Sequence, residues 1–197
     1  MPTCAARRDE LPTFGVPHVL SVFDAVLPDA AAYRAKALRS TFGDVPTPAG
    51  VFKGIAVCDD PTVPAFLATQ FPDLEVSLSF FRQSPRWQRE PTWVHSDAAE
   101  TDVTAILYLN PDPPVGDGTT FWFVDETGAM QGGPVDLETS HRANYWSQWH
   151  HVPAQLGRVI VFPANFYHSR GLRNNYGEGD SARLVQVCFL RKRETIA

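Results

Sequence analysis

The chain has 197 residues, 44% of them hydrophobic and 20% charged, with 17 prolines and 13 phenylalanines. That length suits one domain with a sizeable core, and the balance favours short strands and turns over long helices. A formal net charge of −5 argues against a sequence-independent grip on nucleic-acid phosphates, and no apolar run approaches the about 18 residues of a membrane span.

Taken in order, residues 1–15 read as a loose polar arm without a signal-peptide core, which makes the cytoplasm the expected compartment. Val16 to Phe23 reads as a strand. A helix is expected from Leu27-Pro28-Asp29 to Arg39, with Asp29 helping to cap it and an alanine-rich body. Gly43 to Gly50 reads as a Pro/Gly loop, Val51 to Val57 as a strand, and Pro61 to Phe71 as a second helix with Val63, Phe66, Leu67 and Phe71 near one face. From Leu74 to Arg82, the residues Leu74, Val76, Leu78 and Phe80 alternate against Glu75, Ser77, Ser79 and Phe81, the pattern of a half-buried strand. Gln83 to Pro91 is a polar loop rich in arginine. Its mixture of cations and Trp87 is too short to suggest single-strand binding.

Val103 to Asn110 is the clearest central strand. Val103, Ala105, Leu107 and Leu109 form an apolar face fit to lie under helices. Thr104, Ile106, Tyr108 and Asn110 form the opposite face, whose hydroxyls suit a site. Pro111 to Asp117 is a turn, Thr119 to Val124 a strand, and residues 125–148 a long excursion ending in an aromatic patch. Strand character returns from Val152 to Phe162, with a turn at Gly157. Ser169 to Gly179 is a polar loop, and Ala182 to Leu190 is the last strand. Strands following two early helices make the expected class α+β, mainly β. The expected architecture is a sandwich or jelly roll with the helices packed on one sheet. Cys4, Cys58 and Cys188 are odd in number and far apart, which gives no disulfide framework and no cysteine metal site.

The chemistry-bearing stretch is Trp93-Val94-His95-Ser96-Asp97. On extended backbone, residues two apart share a face, so His95 and Asp97 project together. His168 lies just beyond another apolar run, Val159 to Pro163. Two imidazoles and a carboxylate on one side of an ion, with other positions open, form the donor set of non-haem Fe(II) oxygenases. A His-x-Asp pair alone is also what a surface pair looks like. Arg183 opens the last strand, and a guanidinium there could grip a carboxylate bidentately. His150 and His151 are adjacent and point opposite ways, so both cannot join one ion. His141 and Arg142 read as loop residues. Trp87, Trp122, Trp146 and Trp149 are candidate pocket walls.

Together, His95-x-Asp97, Tyr108-Leu109-Asn110, Gly116 to Trp122, Gly157 to Pro163 leading to His168, and then Arg183 resemble the Fe(II)/2-oxoglutarate-dependent oxygenase superfamily. The resemblance is to its prolyl-hydroxylase-like branch and to an uncharacterised bacterial subgroup, and it is strongest from Trp93 to Leu190. It implies a double-stranded β-helix in a single domain over residues 1–197, with a helical support at 15–73 and the jelly-roll core at 74–192. It also implies Fe(II) on His95, Asp97 and His168. Arg183 would hold the distal carboxylate of the co-substrate 2-oxoglutarate, with a hydrogen bond from Tyr108. Arg173 competes for that role, because 15 positions separate His168 from Arg183. The implied reaction consumes O2 and releases succinate and CO2 while hydroxylating a small molecule, amino acid or peptide. Asp97 favours hydroxylation, since related halogenases lack the carboxylate. The rivals are a cupin-like metalloenzyme that does not use 2-oxoglutarate and a non-catalytic jelly-roll module that binds a ligand. Oligomeric state is not legible.

Overall fold

The computed structural model describes residues 7–8, 20–47 and 50–193. Two antiparallel sheets and three α-helices make up the described fold. Four strands form the middle of the larger, eight-stranded sheet: β9 (Val159–Pro163), β6 (Val103–Tyr108), β11 (Arg183–Lys192) and β5 (Leu74–Ser84), in that spatial order. One edge continues through β4 (Gly50–Val57) to β3 (Gly43–Thr47), and the other through β2 (Ser21–Phe23) to β1 (Arg7–Arg8). The smaller sheet runs β10 (His168–Arg170), β7 (Gly118–Val124), β8 (Trp146–Pro153). The first part of the strand expected from Val16, and most of the arm at 1–15, lie outside the described residues.

The helices cover one face of the larger sheet. Helix α1 (Ala30–Leu38) starts where Asp29 accepts a hydrogen bond from the Ala32 amide at 2.9 Å, the cap the sequence predicts. Tyr33 and Ala37 of α1, with Val63 and Leu67 of α2 (Thr62–Gln70), pack against Ala105, Leu107 and Leu109, continuing with Phe81, Leu184 and Leu190. This is the apolar face expected of the central strand. Its other face enters a second core, where Ile106 and Tyr108 meet Phe121 and Val152 of the smaller sheet together with Ile160 and Phe162. The two sheets therefore face one another across a shared interior.

Several sequence expectations give way: the strand expected over Val152 to Phe162 is split between β8, which already begins at Trp146, and β9. Gly43 to Thr47 is a strand rather than a loop. It lies at the sheet edge, exposed at every residue, where Pro46 need not donate to a further neighbour. In β5 the predicted alternation reverses partway. Leu78 stands opposite Phe189 and Val76 opposite Leu190, so Ser77 is an extra residue, a β-bulge. Beyond it Ser79 and Phe81 turn inward and Leu78 outward. Opposite parity to Phe81 then brings Arg82, across from Val185, to the same side as Tyr108.

Residues 125–145 fold back over the smaller sheet. With the short helix α3 (Leu137–His141), they form a third core around Val94, Val124 and Trp146. The Trp146 indole N–H donates to the Thr139 carbonyl at 2.9 Å. At Gly118 a Cβ would fall 2.0 Å from the Val152 carbonyl oxygen, and φ is +147°. Only glycine lets the chain leave the Asp117 turn so close to β8.

Candidate metal centre

His95 and His168 pair backbone to backbone in a short antiparallel bridge. The His95 amide donates to the His168 carbonyl at 3.0 Å, and the reverse bond is 2.9 Å. Paired residues project to the same side, so the imidazoles come together with ring centroids 4.4 Å apart. The Asp97 amide donates to the Ala164 carbonyl at 2.7 Å, which turns its carboxylate toward both rings. His95 Nε2 lies 3.7 Å from Asp97 Oδ1, and His168 Nε2 lies 3.5 Å from Oδ2. One donor atom from each of the three residues falls within 4.8 Å of the others. Donors bound about 2 Å from one ion stand about 3 to 4 Å apart.

The protonation pattern suits a cation. Each Nδ1 meets a carbonyl oxygen two residues back at 3.0 Å: Trp93 for His95, and Phe166 for His168. A carbonyl only accepts, so Nδ1 carries the proton and the Nε2 lone pair faces the shared point. His168 is buried, and that desolvation, with His95 beside it, pushes its pKa down to about 4, so the ring is neutral near pH 7. Thr104 donates to Asp97 Oδ2 at 2.7 Å and fixes the carboxylate. Two oriented imidazoles and one oriented carboxylate fit a facial metal triad.

Deeper between the sheets lies a charged interior. Arg183 is only 7% exposed, and its Nε donates to Asp117 Oδ1 at 2.9 Å. Asp117 also accepts from the Tyr176 hydroxyl at 2.8 Å. Burial alone would lower the pKa of Arg183, yet the Asp117 carboxylate more than offsets it and holds the guanidinium charged. Tyr108 bonds the Thr119 hydroxyl at 2.7 Å, and its phenol is held neutral chiefly by burial. Nearby, Glu90 forms ion pairs with Arg82 and Arg170. Burial favours neutral Glu90, but Arg82 reverses the balance and keeps it ionised. Arg82, Arg170 and Arg183 thus share two carboxylates, Glu90 and Asp117.

The structure brings His95, Asp97 and His168 together and sets Tyr108 and Arg183 in the interior. Arg173 instead lies at the surface, its guanidinium 5.6 Å from the centre of the Trp93 ring. Among the tryptophans, Trp87 is 65% exposed and Trp146 lies in the outer core. Trp122 donates to the Ser169 hydroxyl at 2.9 Å beside that outer core. Trp149 packs on the inner core with its N–H unpaired. His150 stacks at 6.4 Å on Phe121, while His151 bonds Thr120 at 2.9 Å, so neither reaches the triad. Sequence reasoning missed Asp117 and the Arg82–Glu90–Arg170 cluster. A lone turn aspartate and scattered loop charges carry no local signal of pairing.

No protein-family model matches the chain, and no curated protein matches it. Solved structures do. One is SnoN, an epimerase of nogalamycin biosynthesis, in complex with Fe3+, α-ketoglutarate and nogalamycin RO. It superposes with a TM-score of 0.56 at 17% identity, over 87% of this chain and 78% of that one. HygX from Streptomyces hygroscopicus, with nickel, 2-oxoglutarate and hygromycin B bound, gives 0.53 at 16% identity, over 87% and 82%. A prolyl-4-hydroxylase from Pseudomonas putida gives 0.51 at 17% identity, over 90% and 94%. The chain therefore has the fold of the non-haem, 2-oxoglutarate-dependent oxygenases, prolyl-4-hydroxylase included.

Proposed function

We propose that the chain is an Fe(II)/2-oxoglutarate-dependent dioxygenase that hydroxylates a small molecule. The single observation that carries this is the convergence of His95, Asp97 and His168 on one point inside that fold. The strand orders β9-β6-β11-β5 and β10-β7-β8, with the His95 segment bridging to β10, support a double-stranded β-helix. When bound, the iron and 2-oxoglutarate together supply O2 activation, with release of succinate and CO2.

The chain's own residues do the rest. His95 and His168 present lone pairs, because their other nitrogens are tied to carbonyls. Thr104 keeps Asp97 aimed, and the presence of that carboxylate favours hydroxylation over halogenation. Arg183 and Tyr108 would hold the distal carboxylate of 2-oxoglutarate, the guanidinium by charge and the phenol by a hydrogen bond. Asp117 holds Arg183 in place through Nε. Arg183 is preferred to Arg173 for this role because it is buried and shares the interior with Tyr108.

The test is succinate formation from 2-oxoglutarate with Fe(II), screened against amino acids, peptides and carbohydrate-type small molecules. The expected result is iron-dependent succinate release that Arg183→Ala reduces mainly through a higher KM for 2-oxoglutarate. If Arg183→Ala leaves both turnover and 2-oxoglutarate binding unchanged, a metalloenzyme independent of that co-substrate is favoured. Failure to bind iron at all would favour a ligand-binding module.

A further inference from the structure

A cleft of about 200 Å³ opens beside the metal triad and is lined in part by Arg89, Glu90, Thr92, Trp93, Arg170 and Arg173. Its position is fixed by the His95–His168 bridge. Trp93 precedes His95 by two residues and Arg170 follows His168 by two, so both lie one step along the same ladder, about 7 Å on. The Arg170 guanidinium stands 5.4 Å from the centre of the Trp93 ring, which confirms that the two sit side by side.

The charge inventory of this cleft is uneven. Glu90 is its one lining carboxylate, and it is already engaged by Arg82, by Arg170 at 3.4 Å, and by the Asn175 side-chain amide at 3.0 Å. Arg89 reaches only the Asn174 side-chain oxygen at 3.4 Å, and Arg173 rests over Trp93. Among the described residues neither forms an ion pair. A chain with a net charge of −5 thus concentrates unpaired guanidinium charge at the mouth of its metal site. Guanidinium forks suit oxyanions, which they bind through paired, charge-assisted hydrogen bonds.

We propose that this cleft is the substrate subsite, and that the substrate is a small molecule bearing an oxyanion group, phosphate or carboxylate, bound by Arg89 and Arg173 beside Trp93. This rests on the oxygenase reading and adds the chemical class of its substrate. The subsite is separate from the one assigned to the co-substrate, since Arg183 is buried in the interior and does not line the cleft. Arg89 and Arg173 are specificity residues at the cleft, and none of the three metal donors lines it.

The experiment is anaerobic calorimetric titration of the Fe(II)- and 2-oxoglutarate-loaded protein with inorganic phosphate, acetate and glucose, in native and R89A/R173A forms. Metal and 2-oxoglutarate binding are measured first in both proteins, so a failure of the oxygenase reading appears there. Anion titration of the native protein still decides the cleft in that case. The expected result is saturable, salt-sensitive binding of phosphate or acetate that weakens by about tenfold or more in the variant, as loss of charged hydrogen bonds implies, with metal and 2-oxoglutarate affinities unchanged. The stronger of the two anions identifies the group. Binding that does not saturate, anion binding equal in both proteins, or preference for glucose would each overturn the proposal. So would loss of 2-oxoglutarate binding in the variant, which would return the cleft to the co-substrate.

Discussion

The two faces of the eight-stranded sheet are built from the same strands and bury polar groups in opposite ways. On the helix side, Gln186 is fully buried among apolar side chains. Its oxygen accepts from the Tyr33 hydroxyl at 2.7 Å, and its nitrogen donates to Ser79 at 2.9 Å. Donor and acceptor are both matched within the fold. On the interior side, the buried Arg183 and the partly buried Arg82 and Arg170 share two carboxylates, and Arg82 Nε has no hydrogen-bond partner. A polar group matched within the fold contributes stability and a defined geometry, whereas an unmatched one carries a desolvation cost that a ligand can relieve. On the proposed reading, the difference separates a structural face from a ligand-binding one.

The sharpest way to break this contrast is to remove a metal donor. Alanine at His95, Asp97 or His168 should lower metal affinity by more than the about 10- to 100-fold typical of outer-shell losses, and should abolish succinate formation. Metal binding by each variant checks this. A donor change should leave the helix-side core folded, as far-ultraviolet circular dichroism would show.

The converse change lies on the helix-facing side of β6. Leu107→Ala empties part of the helix-side core and should cost about 2 to 5 kcal/mol in denaturant unfolding, with metal affinity unchanged in the folded protein. Asp117→Asn tests the interior. It leaves Arg183 buried with a weakened partner and should cost about 3 kcal/mol, part of which added 2-oxoglutarate should restore as its carboxylate replaces the lost charge. Equal stabilisation of native and variant protein by 2-oxoglutarate would separate Arg183 from the co-substrate.

The pH dependence follows from His168. Its folded pKa, about 4, lies below the ordinary 6.5, so the unfolded chain takes up the proton first as pH falls. The metal-free protein should therefore lose up to about 3 kcal/mol between pH 6.5 and pH 4 from this group, and keep its contribution above pH 6.5. His168→Gln should flatten that part of the stability profile. The smallest expected effect is at Thr104. Thr104→Val removes the hydroxyl that aims Asp97 and should weaken metal binding by about 10-fold while leaving the fold intact.

Much of the centre was legible because period-two patterns survive in isolation. Val103 to Tyr108 sorted correctly into a helix-facing and a site-facing set, and His95 with Asp97 fell on one side as extended backbone requires. The edge strand at Gly43 to Thr47 was hidden because Pro and Gly signal turns wherever they occur, and only the sheet shows that Pro46 lies at an edge. The reversal in β5 was hidden because the bulge at Ser77 is defined against Phe189 and Leu190, a partner strand more than a hundred positions away. The charged interior was hidden for the same reason. Arg82, Glu90, Asp117, Arg170 and Arg183 come from distant segments and meet only after the sheets close.

The central claim is that His95, Asp97 and His168 share one cation. Anaerobic Fe(II) titration of the native chain and of the three single alanine variants, followed by 2-oxoglutarate addition and visible absorption, tests it most directly. The account predicts one iron per native chain, with a charge-transfer band on adding 2-oxoglutarate, and loss of both in every variant. Iron binding that survives each substitution unchanged would contradict it.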